Sequence, residues 1–138
     1  NIFVFHPDGR LLIQKRAPMK RAFPDFWDIS CSGHVDYCDH PNGDPNASLE
    51  AFHSAATREL VEELGISTPL IKMGEFAPFD DINIERTMFY RTVSAGPFTL
   101  QESEVSEVQW VTRESIHRLS PLTPLLRHSI QTVLKDMF

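Results

Sequence analysis

Residues 50–66 read EAFHSAATRELVEELGI, a helical stretch that carries three carboxylates near its end. Glu59, Glu62 and Glu63 stand at positions i, i+3 and i+4, so they share one stripe of a helix. Like charges at this spacing repel by about 0.2–0.5 kcal/mol per pair, and a bound cation would offset that repulsion. Clustered carboxylate oxygens suit Mg²⁺ or Mn²⁺, which also bind substrate phosphates. The pattern therefore indicates metal-assisted phosphate chemistry.

The limits of this helix follow from the residues that flank it. Ser48 suits the N-cap position, Glu50 is an acid in the first turn, and Gly65 supplies a left-handed stop. We therefore predict a helix from about residue 49 to about residue 64. One apolar face should pack inward and leave the acidic stripe facing outward. The residues predicted to face inward are Ala56, Leu60, Val61 and Leu64.

The composition limits the classes of protein to which the chain can belong. Its 138 residues suffice for one globular unit, so we predict a single domain over residues 1–138. The formal charge of −6 argues against broad binding to nucleic acid. No apolar run approaches the roughly 18 residues of a membrane span, so we expect no membrane insertion.

The cysteines and the first residues bear on location. Two cysteines without a secretory leader fit a reducing compartment, which predicts a cytoplasmic protein. The chain begins at Asn1 inside the apolar run IFVF and without a Met, so we expect natural residues to precede it.

The segments outside this helix alternate between predicted strands, loops and two further helices. The Pro-Asp-Gly sequence at residues 7–9 favours a turn and predicts a hairpin. Thr112 and Thr123 suit the N-caps of a short helix to residue 119 and of a final helix to residue 137. Strands mixed with three helices indicate a layered α/β fold. The predicted strands span residues 2–5, 11–14, 27–30, 33–35, 70–79, 82–93 and 108–111.

The acidic helix resembles the Nudix box, whose pattern is Gly, five residues, Glu, seven residues, Arg-Glu, an aliphatic, any residue, Glu-Glu, any residue, Gly and an aliphatic. From its first Glu onward the chain matches this pattern in full. A chance match at the fixed positions is on the order of 10⁻⁷, so the motif is specific. The resemblance implies a Nudix-type α/β/α sandwich with a mixed β-sheet. The matching residues are Glu50, Arg58, Glu59, Leu60, Glu62, Glu63, Gly65 and Ile66.

The opening Gly of the pattern is displaced from its usual spacing. Gly33 lies in the Gly-His-Val context of the family, but residues 34–49 place 16 positions between it and Glu50, where the pattern has five. We interpret the surplus as an insertion at about residues 38–47, in the loop before the helix. The insertion leaves the helix itself intact.

The flanking sequence is similar to the subgroup related to isopentenyl diphosphate isomerase. The similar segments are LLIQKRAPMKRAFPDFWDIS, SGHV and LQESEVSEVQWV. The isomerases have a catalytic Cys directly before the Gly-His pair, whereas Ser32 occupies that position here. Cys31 is one residue away, and a shift of one residue in a strand turns a side chain to the opposite face. This departure and the complete box both indicate hydrolysis.

The resemblance implies roles for the residues of the box. Glu59, Glu62 and Glu63 would hold the metal and take part in catalysis. Arg58 and Glu50 would form a supporting salt bridge. The alternative is a solvated, charged helix in which Arg58 pairs with Glu62.

Further glutamates outside the box resemble positions of metal ligands or bases. Glu104 lies six residues before Trp110, where some Nudix enzymes keep another metal ligand or the general base. Glu102 and Glu107 are the alternatives. Glu85 matches an isomerase metal position, or it faces water as an ordinary strand residue.

Residues upstream of the box are candidates for substrate binding. Arg16 and Lys20 fall where the isomerase-like subgroup grips diphosphate, and cations there would neutralise the substrate and the transition state. Ordinary surface charge is the alternative for both. His34 corresponds to an isomerase metal ligand, and in a hydrolase it would line the pocket.

Two other sets of residues carry less weight. Phe23, Trp27 and Phe79 could stack on a base or sugar, although core packing explains most aromatic residues. Four potential zinc ligands lack the spacing of a recognised zinc site. They are Cys31, His34, Cys38 and His40.

Together these features predict a metal-dependent hydrolase that cleaves a diphosphate linkage in a nucleoside diphosphate derivative or a related small molecule. Two alternatives stay open: an isopentenyl or other prenyl diphosphate isomerase-like enzyme, and a noncatalytic module that binds a phosphorylated ligand. The motif reports the chemistry at phosphorus only, so it leaves the exact substrate, the number of metal ions and the oligomeric state open.

Overall fold

The computed structural model describes residues 1–44, 48–76 and 86–137, and the strands in these ranges form one mixed sheet. They are β1 (Ile2–Phe5), β2 (Leu11–Arg16), β3 (Trp27–Asp28), β4 (Ile71–Phe76), β5 (Thr87–Val93) and β6 (Val105–Val111). The order across the sheet is β3, β2, β1, β5 and β4, with β6 paired to β2. The central pair β1 and β5 is parallel, and the other described pairs are antiparallel.

A buried serine joins β1 to β2 where these two strands separate. β1 pairs with β2 next to their hairpin, and β3 pairs with β2 further along the same edge. Between the two pairings, Ser30 Oγ accepts a hydrogen bond from the Val4 N–H at 2.8 Å and donates one to the Leu12 carbonyl at 2.5 Å. The hydroxyl therefore satisfies backbone groups that the strands no longer satisfy for each other.

Helices cover both faces of the sheet, and those described are α1 (Ser48–Leu64), α2 (Arg113–Ile116) and α3 (Pro124–Gln131). Along β1, Ile2 and Val4 pack in the same cluster as α1, whereas Phe3 and Phe5 pack in the cluster that contains α2 and α3. This alternation is what a strand between two layers requires. The predicted α/β/α sandwich with a mixed sheet is confirmed.

The buried face of α1 differs from the predicted one at two positions. Ala56, Leu60 and Leu64 are buried as predicted, but Val61 is 48% exposed and Glu63 only 4% exposed. Because three residues turn a helix by about 300°, Glu63 projects about 60° from Leu60, within the buried face. Val61 projects about 140° from Ala56 and points to solvent. One carboxylate of the acidic stripe is therefore held inside the fold.

The last turn of α1 is fixed against the segment that precedes β6. Gly65 ends the helix as predicted, with a left-handed φ of 68°. The Thr99 N–H donates to the Leu64 carbonyl at 3.0 Å, and the Gln101 N–H donates to the Glu63 carbonyl at 3.1 Å. These bonds satisfy carbonyls that a helix end leaves free, and they hold the acidic turn in place.

The shorter helices end earlier than predicted. α2 ends at Ile116 rather than at residue 119. The following residues form 3₁₀-type hydrogen bonds between residues three apart, such as that from the Leu119 N–H to the Ile116 carbonyl. α3 ends at Gln131 rather than at residue 137, because Thr132 adopts φ −122° and ψ −78° and its hydroxyl binds the His128 carbonyl.

Other boundaries also differ from the predicted ones. Residues 33–35 do not form a strand, because the backbone at Gly33 packs against the α1 side chain Glu59 instead. β6 begins at Val105 rather than at residue 108, since its pairing with β2 extends to Arg16. Residues 77–79 and 82–85 of the two predicted long strands, and the predicted cap by the Ser48 side chain, lie outside the described residues.

Within the described ranges, we find no helix whose length and apolar character would let it cross a bilayer.

We predict that Ser30→Ala lowers the free energy of unfolding by about 1–3 kcal/mol, because it leaves the buried Val4 N–H and Leu12 carbonyl without their partner. Urea denaturation of both proteins measures the loss. Ser106→Ala is the matched control, since the exposed Ser106 hydroxyl makes one bond to the Lys15 carbonyl and its removal should cost less than about 0.5 kcal/mol. Equal effects of the two substitutions would contradict the role of Ser30.

Candidate functional site

An open cavity of about 610 Å³ lies between the loop after β3, the middle of α1 and β5. Its walls combine charged groups with apolar and aromatic side chains, a combination that suits a molecule with an anionic part and an apolar or ring-shaped part. Charged or titratable residues on the wall include Arg16, Asp28, His34, Glu59 and Arg86. Apolar and aromatic residues there include Phe23, Val35, Phe52, Met88, Tyr90 and Leu125.

Glu59 reaches this cavity through the space that Gly33 leaves open. A Cβ atom at Gly33 would lie 2.0 Å from Glu59 Cδ, far closer than carbon atoms pack. The Glu59 side chain is 16% exposed, and burial raises the pKa of its carboxyl. Gly33 and Glu59 therefore form one unit that links the loop to α1.

Glu63 lies behind Glu59 and is buried. The Ser32 N–H donates a long hydrogen bond of 3.4 Å to Glu63 Oε2. Burial raises the pKa of Glu63 to about 7, while hydrogen bonds from the side chain of Cys31, the backbone of Ser32 and the side chain of Gln14 act in the opposite direction. The cost of desolvating this carboxylate is the largest influence on its protonation, and a cation beside it would offset that cost.

Arg58 donates hydrogen bonds from all of its N–H groups. Nε and Nη2 bind the two oxygens of Asp39 at 3.0 and 2.9 Å, and Nη2 also binds the His34 carbonyl at 3.0 Å. Nη1 binds Glu59 at 2.9 Å and Glu62 at 3.1 Å. These contacts use all five donors of a guanidinium. Arg58 therefore joins the loop before α1 to two carboxylates of the acidic stripe.

The predicted salt bridge between Arg58 and Glu50 is not the one that Arg58 forms. Its carboxylate partners among the described residues are Asp36, Asp39, Glu59 and Glu62. Eight residues of helix separate Glu50 from Arg58 by about 12 Å along the axis, whereas the folded loop brings Asp39 directly to the guanidinium. The supporting partner thus comes from the loop before α1 rather than from the first turn of that helix.

The three carboxylates of the acidic stripe do not converge on one point. In the part of the chain that the structure describes, the three side chains whose ligand atoms lie within 4.8 Å of one another are Asp36, Cys38 and Asp39, and Arg58 binds Asp39. The stripe nevertheless fits a hard divalent cation. Its donors are all carboxylate oxygens, and the innermost one is desolvated.

Arg16 is held rigidly at the cavity wall. Its Nε donates to the Ala22 carbonyl at 3.0 Å, and its Nη1 pairs with the buried Asp28 at 3.1 Å. Asp28 also accepts a hydrogen bond of 2.7 Å from the Thr123 hydroxyl. The network connects β2, β3 and the start of α3, so the guanidinium has a fixed orientation toward the cavity.

Lys20 and Glu104 contact each other instead of the cavity. Their side chains form an ion pair, and the Ala17 N–H donates to the Glu104 carbonyl at 2.9 Å. Neither side chain is part of the described cavity wall. The structure thus separates these two candidates from Glu59, Arg16 and His34, which all line the cavity.

Cys31 and Ser32 point in the directions that the sequence predicts. Cys31 is fully buried and burial raises the pKa of its thiol, whereas Ser32 lines the cavity.

The four potential zinc ligands do not form a group in the described residues. Phe23 lines the cavity, and Trp27 is buried in the core. Glu85 and Phe79 lie outside the described residues.

The sequence alone does not indicate Asp39, Asp28 or Thr123 as residues of the site. Asp28 and Thr123 are 95 positions apart, and no local pattern links them. Asp39 stands in a segment rich in Asp, His, Pro and Asn that predicts only a loop. The acids before α1, Asp36, Asp39 and Asp44, are the sequence signal that could have indicated this partner, because the buried part of Arg58 needs a carboxylate beside it.

Comparison with known sequences identifies the family. The sequence model of the NUDIX domain matches residues 1–133. The uncharacterised Nudix hydrolase YfcD of Escherichia coli (strain K12) is 37% identical over 119 residues, which are 84% of this chain and 59% of YfcD. The chain therefore spans about three fifths of the length of that relative.

A second relative and a solved structure match over more of their length. The prenyl-diphosphate phosphatase of Methanosarcina mazei is 26% identical over 148 aligned positions, covering 98% of this chain and 78% of the relative. The crystal structure of DR0079 from Deinococcus radiodurans superposes with a TM-score of 0.75 at 22% identity, covering 100% of this chain and 80% of DR0079. This structural likeness concerns the fold alone.

We predict that Gly33→Ala displaces the Glu59 side chain. The added Cβ would lie 2.0 Å from Glu59 Cδ, so the carboxylate must move by about 1.5 Å to restore normal packing. Crystal structures of the wild type and the variant measure the movement. Ser32→Ala is the control, because it keeps the backbone N–H that binds Glu63 and should leave Glu59 in place. An alanine accommodated without movement of Glu59 would contradict the prediction.

Proposed function

We propose that this chain, which belongs to the NUDIX domain family, is a metal-dependent hydrolase that cleaves a diphosphate linkage in a small molecule. The observation that carries the proposal is the complete acidic motif on the last turns of α1, placed beside a cavity that also presents a fixed arginine. The likeness to named hydrolases supports the same conclusion.

Glu59, Glu62 and Glu63 are the proposed ligands of Mg²⁺ or Mn²⁺. When bound, the ion would neutralise phosphate oxygens and lower the pKa of a water molecule. The chain contributes carboxylates in three environments: Glu59 faces the cavity, Glu62 is half exposed, and Glu63 is buried. The fixed end of α1 holds all three in place, which spares the site a costly rearrangement when it binds its ligands.

Glu59 is the proposed general base. It is the carboxylate of the stripe that lines the cavity, and burial raises the pKa of its carboxyl above that of an exposed glutamate. A general base must lie within hydrogen-bond reach of the water it deprotonates, and the position of Glu59 on the cavity wall meets that requirement. Glu104 is a weaker candidate in this fold, because it pairs with Lys20 away from the cavity wall.

Arg16 is the proposed phosphate-binding cation. Its Nε and Nη1 are bound to protein acceptors, and the structure shows no protein partner for its Nη2 among the described residues. A guanidinium held in this way binds phosphate without losing further side-chain freedom. His34 lines the cavity nearby and is a second candidate for substrate contact.

A nucleoside diphosphate derivative is the first candidate substrate. The aromatic side chains of Phe23, Phe52 and Tyr90 on the wall could stack against a base, while Arg16 binds phosphate. A prenyl diphosphate is the second candidate. Val35, Met88 and Leu125 offer an apolar surface for a hydrocarbon chain, and a prenyl-diphosphate phosphatase aligns with nearly the whole chain.

We predict that Glu59→Gln lowers kcat by about 10²–10⁴-fold while the protein stays folded, because the amide cannot accept the proton of the attacking water. Release of phosphate or of a nucleoside monophosphate measures the rate. Glu114→Gln is the matched control, because Glu114 is exposed on α2 and the same charge is lost there. If Glu59→Gln keeps the turnover of the wild type, Glu59 is not the base.

We predict that chelation of divalent ions with EDTA abolishes hydrolysis and that Mg²⁺ or Mn²⁺ restores it. A panel of nucleoside diphosphate derivatives and prenyl diphosphates, assayed with and without the ion, identifies the substrate class. The same assay with isopentenyl diphosphate should yield no dimethylallyl product, because Ser32 replaces the cysteine of the isomerases. Binding of panel compounds that depends on Mg²⁺ but leads to no turnover would contradict the proposal and favour a noncatalytic module.

A further inference from the structure

The inserted loop before α1 holds Arg58, and this contact bears directly on the carboxylates beside it. We infer that Asp39 is a positioning residue: by binding Arg58 it prevents the guanidinium from withdrawing Glu59 and Glu62 from a divalent cation. The inference rests on the proposed metal-dependent function of the acidic stripe. It assigns a role to the insertion, which supplies Asp39 to the site.

The contact between Asp39 and Arg58 has the geometry of a strong ion pair. Two parallel hydrogen bonds of 3.0 and 2.9 Å join the Asp39 oxygens to Nε and Nη2. The Asp39 side chain is 4% exposed, and the pair with Arg58 holds the pKa of this carboxyl below its usual range. Bidentate pairs shielded from water are both stronger and more specific in direction than exposed pairs.

The loop itself holds the Asp39 carboxylate in position. Two short 3₁₀ turns, Tyr37–Asp39 and Pro41–Gly43, follow each other in the insertion. The Asp36 N–H donates to Asp39 Oδ2 at 2.7 Å, and the Asp39 N–H donates to the Asp36 carbonyl at 3.0 Å. These bonds within the loop hold the Asp39 carboxylate independently of Arg58. The fixed carboxylate in turn favours one orientation of the guanidinium.

Arg58 divides its donors between the loop and the acidic stripe. Nε and Nη2 serve Asp39 and the His34 carbonyl, which leaves only Nη1 for Glu59 and Glu62. Each of these two glutamates therefore receives one hydrogen bond from Arg58 and keeps further lone pairs for a cation. Without Asp39, the same guanidinium would be free to form paired bonds with Glu59 or Glu62 and compete with the metal.

Asp36 offers a natural comparison within the same loop. Its carboxylate lies 3.4 Å from Arg58 Nη2 and its side chain is 65% exposed. Loss of either aspartate removes one negative charge near the stripe, but only loss of Asp39 removes the buried bidentate contact. Comparing substitutions of Asp36 and Asp39 therefore separates the effect of losing one negative charge from the effect of losing the contact that positions Arg58.

The test is a titration of the full chain with MnCl₂, followed by electron paramagnetic resonance of the free ion. We expect Asp39→Asn to weaken Mn²⁺ binding about 10-fold or more, as removal of outer partners does at other metal sites. Asp36→Asn should change the affinity by less than about 2-fold, because exposed pairs contribute little. Equal affinities of the two variants would overturn the inference.

Kinetics supply a second readout that general structural damage would not reproduce. With a verified diphosphate substrate, Asp39→Asn should raise the metal concentration for half-maximal rate about 10-fold, with kcat restored at saturating metal and KM for the substrate unchanged. A kcat that stays low at every metal concentration, or a changed KM at saturating metal, would contradict a positioning role.

The outcomes distinguish the inference from the function on which it rests. If the wild type binds Mn²⁺ and Asp39→Asn binds it more weakly than Asp36→Asn, but no diphosphate is hydrolysed, the proposed function fails and the positioning role stands. If hydrolysis is found and the two variants bind Mn²⁺ equally, the positioning role fails alone. Should Asp39→Asn not fold, Asp39→Ser tests the same contact, because its hydroxyl can still accept the Asp36 N–H but cannot form the charged bidentate pair with Arg58. An unchanged Mn²⁺ affinity in that variant would also overturn the inference.

Discussion

Four carboxylates surround the Arg58 guanidinium in the described structure, and the balance among them sets the state of the acidic stripe. Asp36 and Asp39 approach from the loop, and Glu59 and Glu62 from α1. Because one positive charge faces four negative ones, the cluster retains an excess of negative charge that favours a cation. Arg58 thus has two effects. It fastens the loop to the helix, and it limits the repulsion between acids that the helix places side by side.

The fold maintains this electrostatic arrangement through close backbone contacts. Gly33 lets the loop approach Glu59, Gly65 and the Thr99 backbone fix the last turn of α1, and Ser30 connects the strands beneath. The contacts at Gly33 and Thr99 limit the movement of the carboxylates at the end of α1. Burial of Glu63 has the same origin, since the face of α1 that packs on the sheet includes this residue. Rigid support of this kind allows a site to keep charged groups close together before a ligand arrives.

Much of the fold could be predicted from the sequence because its signals are local. The turn at residues 7–9, the stop at Gly65 and the caps at Thr112 and Thr123 depend on neighbouring residues, and they are found in the structure. The pairing of Arg58 with Glu62 follows from helical spacing and is present, but the contact of Arg58 with Asp39 and the ion pair of Lys20 with Glu104 depend on how distant segments meet. Glu63 shows an intermediate case. The sequence places Glu63 correctly within the helix, but the acidic stripe predicts that its side chain faces solvent. Helical geometry instead places it next to Leu60, in the buried face of α1.

The proposed function requires that the acidic stripe of α1 binds a divalent cation beside the cavity. A crystal structure of the protein soaked with MnCl₂, with data collected at the manganese absorption edge, tests it most directly. We expect an anomalous peak in contact with carboxylate oxygens of Glu59, Glu62 and Glu63. A peak at Asp36, Cys38 and Asp39 instead, or no peak near α1 at saturating Mn²⁺, would contradict it.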